Sequence, residues 1–354
     1  MADWFVTSDG RKIPVYDRYR YDTKPGWQFF RPLHDLALVR TLGGLTDVER
    51  TAVDVAIGTR RVGLPLDEIE DLLTGVARRT PDSFLWSEGS PPLLKPTRGE
   101  TERRIWRLVQ RRERQLRAAG FRSGRNRPRV LEIGYTSGGH SLAAFERLGF
   151  EVTGIDNYYD GVVDPSDLPH FTLHDLAGAT PELLVGDVAA EGVLDGREFD
   201  LVFSESVVEH LRDLESALRQ CGRLTAPGGM AIHSYEPYHS LRGGHGLGTL
   251  DAPFGHVRVD VHDHERYLFD QRGFEAPVAV PWVANALNRC SQSQVRDAAE
   301  AAGVPITFWR AIEDRPAELT VDIEAECLAV HPQIRPHDLL ATEVLFGCLP
   351  GRDR

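Results

Sequence analysis

Apolar positions in the first third of the chain recur with helical spacing. Thr46-Asp-Val-Glu49 reads as a capping box that opens a helix running to about Arg61. Residues 66–79 place Ile69, Leu72, Leu73 and Val76 on one face; residues 99–119 do the same with Ile105, Leu108, Val109 and Leu116, ending at Gly120. Ahead of these, residues 1–35 hold aromatics from Trp4 to Phe30 without a period, which reads as an arm packed on the body or as a lid. The polar stretch FRSGRNRP (121–128) breaks the periodicity and reads as a linker.

From Arg129 onward short apolar runs alternate with helical ones. Strands are expected over 129–134, 151–156, 182–187, 199–204 and 230–234, with helices over 139–148 and 213–225 and a turn at Pro227-Gly228-Gly229. Strands alternating with helices predict a parallel, doubly wound α/β sheet. A helix near 291–302 precedes two final strands, 304–311 and 342–349, which are expected to form an antiparallel edge pair with a helix between them. The expected division is a mainly helical N-terminal cap over 1–125 and a ligand-binding α/β domain over 126–354.

Composition changes the picture only by exclusion. The 354 residues are 41% hydrophobic and 27% charged, which is enough apolar material for a full core. Lys+Arg is 41 against 53 Asp+Glu, a net charge of -12, which argues against a nucleic-acid partner that needs a broad basic surface. Four scattered cysteines, Cys221, Cys290, Cys327 and Cys348, form neither a disulfide framework nor a C-x-x-C metal pair. The start, MADWFVTSDGRK, has no apolar signal core, and no apolar stretch approaches a membrane span. The expected location is the cytoplasm, without a membrane partner.

In an open α/β sheet the ligand sits beyond the carboxyl ends of the strands. Those ends here carry Gly134, Asp156, Asp187 and Ser204. Gly134-Tyr-Thr-Ser-Gly138-Gly139 lets the backbone turn tightly after the first strand. Asp156, 22 positions after Gly134, suits hydrogen bonding to ribose hydroxyls, so an adenosine-type ligand is expected. Thr136 replaces the middle glycine that a dinucleotide turn requires.

The segments VLEIG (130–134), GIDN (154–157), GDV (186–188), FDLVFSESVVEHL (199–211) and APGGM (226–230) resemble the class I S-adenosylmethionine-dependent methyltransferases, of the methyltransferase type 11 group, over about residues 125–235. The resemblance implies a Rossmann-like, mostly parallel seven-stranded sheet whose last strand is antiparallel. It also implies S-adenosyl-L-methionine as cofactor and S-adenosyl-L-homocysteine as product. By position it assigns Glu132, Gly134 and Gly138 to the methionine part and Asp156, with Asn157 beside it, to the ribose. Asp187 and Val188 fall to the adenine, and the Ser204 backbone carbonyl to the methionine amine. In the family the pair matching Glu209-His210 is structural. The family often has glycine where this chain has Thr136, whose side chain crowds the methionine end. Glu205 can meet either cofactor or substrate.

The segment after the fifth strand, 234–267, is too long for an ordinary connection and carries His239, His245, His256, His262 and His264. It is expected to bind the acceptor. His245 and His256 stand beside glycines, and an imidazole with an ordinary pKa near 6.5 suits proton removal from a hydroxyl. The histidine spacing matches no standard zinc motif, so a divalent metal is not favoured. The expected function is methyl transfer to a small-molecule acceptor, at an oxygen of a sugar or secondary metabolite. N- or C-methylation is an alternative. So is a cofactor-binding protein of the same fold that has lost or changed the chemistry.

Overall fold

The structure is a computed structural model and describes residues 3–15, 98–135, 140–157, 181–272, 280 and 283–349. The helices expected over 46–61 and 66–79, the aromatics from Tyr16 to Phe30, and Thr136 and Gly138 lie outside the described residues. The strands are β1 (Asp3–Val6), β2 (Lys12–Val15), β3 (Arg129–Ile133), β4 (Glu151–Asp156), β5 (Glu182–Val185), β6 (Phe199–Glu205), β7 (Thr225–Tyr235), β8 (Ile306–Glu313) and β9 (Ala341–Cys348). The helices used below are α1 (Arg98–Ala118), α2 (His140–Arg147), α3 (Leu214–Leu224), α4 (Val261–Arg272), α5 (Gln292–Ala301), α6 (Val321–Val330) and α7 (Pro336–Leu340). No described helix is long and apolar enough to cross a membrane.

The chain folds as two units, one built from 95–235, 292–311 and 343–354, the other from 1–94, 236–291 and 312–342. These boundaries differ from the expected split at residue 125. Helix α1, expected in the N-terminal cap, belongs to the sheet unit because its apolar stripe has a partner there: Ile105 and Val109 bury against Ala143 and Ala144 of α2.

The seven-stranded sheet has the order β5-β4-β3-β6-β7-β9-β8. β3 pairs in parallel with β4 on one side and β6 on the other, β5 continues parallel to β4, and β7 parallel to β6. β9 runs antiparallel to β7. The expected mostly parallel α/β sheet with an antiparallel last strand is therefore observed. The order reverses at β3, which makes the β3 end the switch point of the sheet. Its core is Val130, Leu142, Phe145, Phe150, Phe203 and Ile232, with the Phe145 and Phe203 rings edge to face at 5.0 Å. Helix α3 starts where expected, because the Asp213 side chain accepts the Ser216 N–H at 2.9 Å as its N-cap.

One expected turn is absorbed into a strand. Pro227-Gly228-Gly229 lies inside β7, where the register with β6 shifts between Phe199 and Leu201. A bulge carries the chain through without ending the pairing.

In the other unit the described N-terminal residues, which show no period in the sequence, form the antiparallel hairpin β1–β2. Phe5 and Ile13 point inward and Trp4 and Val6 outward. The hairpin is tied to α4: the Ser8 N–H and hydroxyl both donate to Asp263, and Phe5 meets Tyr267 edge-on at 5.1 Å. A second cluster of Phe254, Val257, Leu319, Cys327, Ile334 and Leu339 gathers α6 and α7 with the segment before α4.

Candidate functional site

Parallel register aligns the carboxyl ends of the central strands. Ile133 pairs with Ile155 and with Ser204, and Asp156 pairs with Val185, so Glu132, Gly134, Asp156, Asn157 and Ser204 share one edge of adjacent strands. Asp187 and Val188 follow the end of β5 after Gly186. These expected residues are brought together by the sheet. His245 and His256 belong to the other unit.

Gly134 is the closest-fitted point of this edge. Its φ is +78°, and a Cβ there would lie 2.3 Å from Val207 Cγ2. Both the conformation and the space demand glycine. The Gly134 N–H donates to the Ile155 carbonyl at 2.8 Å, which locks the turn onto β4. Asp156 is only 7% exposed. Asp187 is exposed, with Oδ1 accepting the Ala189 N–H at 2.9 Å, while Val188 is buried. The Ser204 hydroxyl lies 2.8 Å from His233 Nδ1, so its side chain is directed to the neighbouring strand.

Behind this edge lies a charged network that the sequence did not announce. Arg112 of α1 is 1% exposed. Its Nη2 donates to Glu205 Oε2 at 2.6 Å and to Ser141 Oγ at 2.7 Å, its Nη1 donates to Gln115, and its guanidinium lies 4.4 Å from the Phe203 ring centre. Arg111 reaches Glu205 Oε1 at 2.7 Å and Glu343 at 2.9 Å, and Ser234 donates to the same Glu343 oxygen. Glu205 is thereby a paired carboxylate within the protein. Burial works to raise its pKa, but Arg112 and Arg111 bring it below the ordinary value. Glu132 goes the other way: burial lifts its carboxyl to about 7, and the Arg112 charge offsets only part of that. Its Oε2 is buried without a hydrogen-bond partner. One sequence signal was available: Arg112 continues the apolar stripe Ile105–Val109, and an arginine on a buried face requires a buried acid.

The histidine segment is ordered by its own packing. His256 is 1% exposed, and its Nε2 lies 2.9 Å from the Tyr238 carbonyl and 3.1 Å from the Gly244 nitrogen. Burial drives its pKa down to about 4, far from the ordinary value that the base expectation used. This imidazole braces the loop from inside, an environment unlike the ordinary, accessible one that a base at His256 was expected to have. Its glycine neighbours serve the same packing. A Cβ on Gly244 would lie 2.9 Å from His256 Cγ, and one on Gly255 would lie 2.6 Å from Leu250 Cβ. His245 is half-buried, heads a single helical turn (His245–Gly248) and holds φ at +53°, a conformation rarely adopted by residues other than glycine.

Comparison with known proteins points the same way as the sheet edge. A family model described as a methyltransferase domain matches residues 101–277, half of the chain. The ubiquinone biosynthesis O-methyltransferases of Paracidovorax citrulli and Albidiferax ferrireducens are each 33% identical to this chain, over 108 and 107 residues, 30% of it. The matched stretches span 42% and 40% of those relatives, so the chain covers about two fifths of their length. An S-adenosylmethionine-dependent methyltransferase structure from Clostridium acetobutylicum aligns over 70% of this chain and 92% of its own, at 8% identity and a TM-score of 0.42. With the matched family model and the strand order both in hand, the chain belongs to the methyltransferase-domain family, among the class I S-adenosylmethionine-dependent methyltransferases.

Proposed function

We propose that this protein transfers a methyl group from S-adenosylmethionine to an oxygen of a small-molecule acceptor, a hydroxyl of a sugar or secondary metabolite, in the cytoplasm. The observation that carries the cofactor half is the β3–β4 edge, where a buried Asp156 stands beside a Gly134 that tolerates no side chain. The residues present fit the cofactor. Asp156 would accept from the ribose hydroxyls, and the unpartnered Oε2 of Glu132 suits a cationic amine. When bound, the cofactor supplies a methyl group on a positively charged sulfur. The chain's part is to hold sulfur and acceptor in line and to keep water away, and positioning of this kind accounts for much of such an acceleration.

The oxygen half is supported by the name of the relatives, O-methyltransferase, over the stretch they share. His245 is proposed as the proton acceptor, and the N-terminal residues ahead of α1 as the part that selects the acceptor. Both rest on residue type and place in the sequence. Incubation with S-adenosylmethionine and matched hydroxyl and amine acceptors, read by mass spectrometry, tests the reading. A one-methyl mass gain on the hydroxyl compound supports it; a gain on the amine compound alone overturns the oxygen assignment.

A further inference from the structure

The chain carries a net charge of -12, yet α1 alone contains eight arginines against three glutamates. Two of the eight, Arg111 and Arg112, turn inward to Glu205. Arg103, Arg107, Arg114 and Arg117 are exposed, and among the described residues none of them makes an ion pair. Their spacing of four, seven and three residues puts all four on one helix face, a stripe about 21 Å long. Trp106 flanks the stripe, 52% exposed, with the Arg147 guanidinium 5.4 Å from its ring centre. Arg147 is itself held by Glu102 at 2.8 Å.

We propose that the outer face of α1 docks a partner protein that presents a helix with carboxylates at matching i, i+4 spacing. Guanidinium forks pair with carboxylates two bonds at a time, and an exposed tryptophan beside them is the kind of anchor that dominates protein interfaces. A bilayer is a poor occupant, because the apolar side of α1 is already spent on Ala143 and Ala144. A long phosphate polymer is disfavoured by the charge of the rest of the chain. A protein helix needs to approach the stripe only.

The test uses the full chain and a fluorescent alanine-based helical peptide with glutamates along one face. A peptide of the same composition with the glutamates dispersed around the helix is one control, and a single-stranded RNA of equal charge is another. Fluorescence anisotropy should show the patterned peptide binding, with affinity falling about tenfold between about 50 and about 300 mM salt. The charge-reversed variant Arg103→Glu/Arg107→Glu/Arg114→Glu should lose at least about tenfold in affinity. Its melting temperature and S-adenosylmethionine affinity should be unchanged, and Arg103→Gln/Arg107→Gln/Arg114→Gln supplies the same comparison if reversal disturbs folding. Trp106→Ala should weaken binding by a smaller factor. Absence of peptide binding, equal binding of the dispersed peptide, wild-type affinity in both variants, or tighter binding of the RNA would each overturn the proposal.

Discussion

Arg112 and Glu205 meet at 2.6 Å behind the carboxyl edge of the sheet, one from the helix that precedes β3 and the other from the last position of β6. The same guanidinium is the charge that partly offsets the burial of Glu132. One buried cation therefore compensates a half-buried carboxylate, Glu205, and a buried one, Glu132, which is itself assigned to the methionine part of the cofactor. The arrangement ties α1 to the site electrostatically as well as through its apolar stripe.

Removing that cation should be costly. Arg112→Leu leaves Glu205 with Arg111 alone and deprives Glu132 of its offsetting charge. Loss of one partner from a fully buried pair costs about 3–5 kcal/mol, and because Glu205 is half-buried and keeps Arg111 the low end of that range is expected. Chemical denaturation should show a loss of that order, and an unchanged midpoint would mean that the network contributes little.

Glu132 gives a pH dependence of definite sign. Its folded pKa, about 7, lies above the ordinary value of 4.5, so between the two the folded state holds more protons than the unfolded one. Stability from this group is greatest at low pH and is lost as pH rises from 4.5 through 7, by a total of about 3 kcal/mol. Glu132→Gln should remove that component from a plot of melting temperature against pH. A wild-type slope in the variant contradicts the assignment.

His256 contributes in the opposite sense. Burial holds its pKa near 4, below the ordinary 6.5, so the unfolded state binds more protons between those values. Stability from this group is present above pH 6.5 and is lost as pH falls toward 4. His256→Gln should flatten this acid limb by about 2 kcal/mol at pH 5. The transfer rate per folded molecule should stay within a few-fold of wild type. A loss of about 10²–10⁴-fold without a stability change would restore it as a general base.

Gly134 should tolerate nothing larger. Gly134→Ala combines a φ of +78° with a contact of 2.3 Å to Val207 Cγ2, and overpacking of this kind costs about 1–3 kcal/mol. Adding Val207→Ala should relieve the contact but leave the backbone strain, giving a partial recovery of melting temperature. Full stability in the single variant would contradict the close fit of Gly134 against Val207.

The sheet was legible because its strands are short apolar runs bounded by glycine and acid, a pattern set by burial on both faces. β3, β4 and β6 lie where the runs fall, and the acid Asp156 stands at the carboxyl end of β4 as the run predicts. The hairpin β1–β2 was missed although Asp9-Gly10, a recognised hairpin turn pair, separates its two strands. Arg112 was missed as a partner because helical periodicity marks a buried face without naming what the face meets. The surroundings of His256 were not legible because residue type and neighbouring glycines do not report burial, and burial sets its pKa.

The central claim is that the β3–β4 edge binds S-adenosylmethionine, and Asp156→Ala tests it most directly. Hydrogen bonds to a charged group are worth about 1.5–3 kcal/mol each, so losing the acceptor for the ribose hydroxyls should weaken binding at least about tenfold. Titration calorimetry of the wild type and the variant with S-adenosylmethionine, with circular dichroism to confirm folding, gives the answer. The account predicts wild-type binding and a variant weaker by that factor or more. Equal affinity in a folded Asp156→Ala protein, or no binding by the wild type, would contradict it.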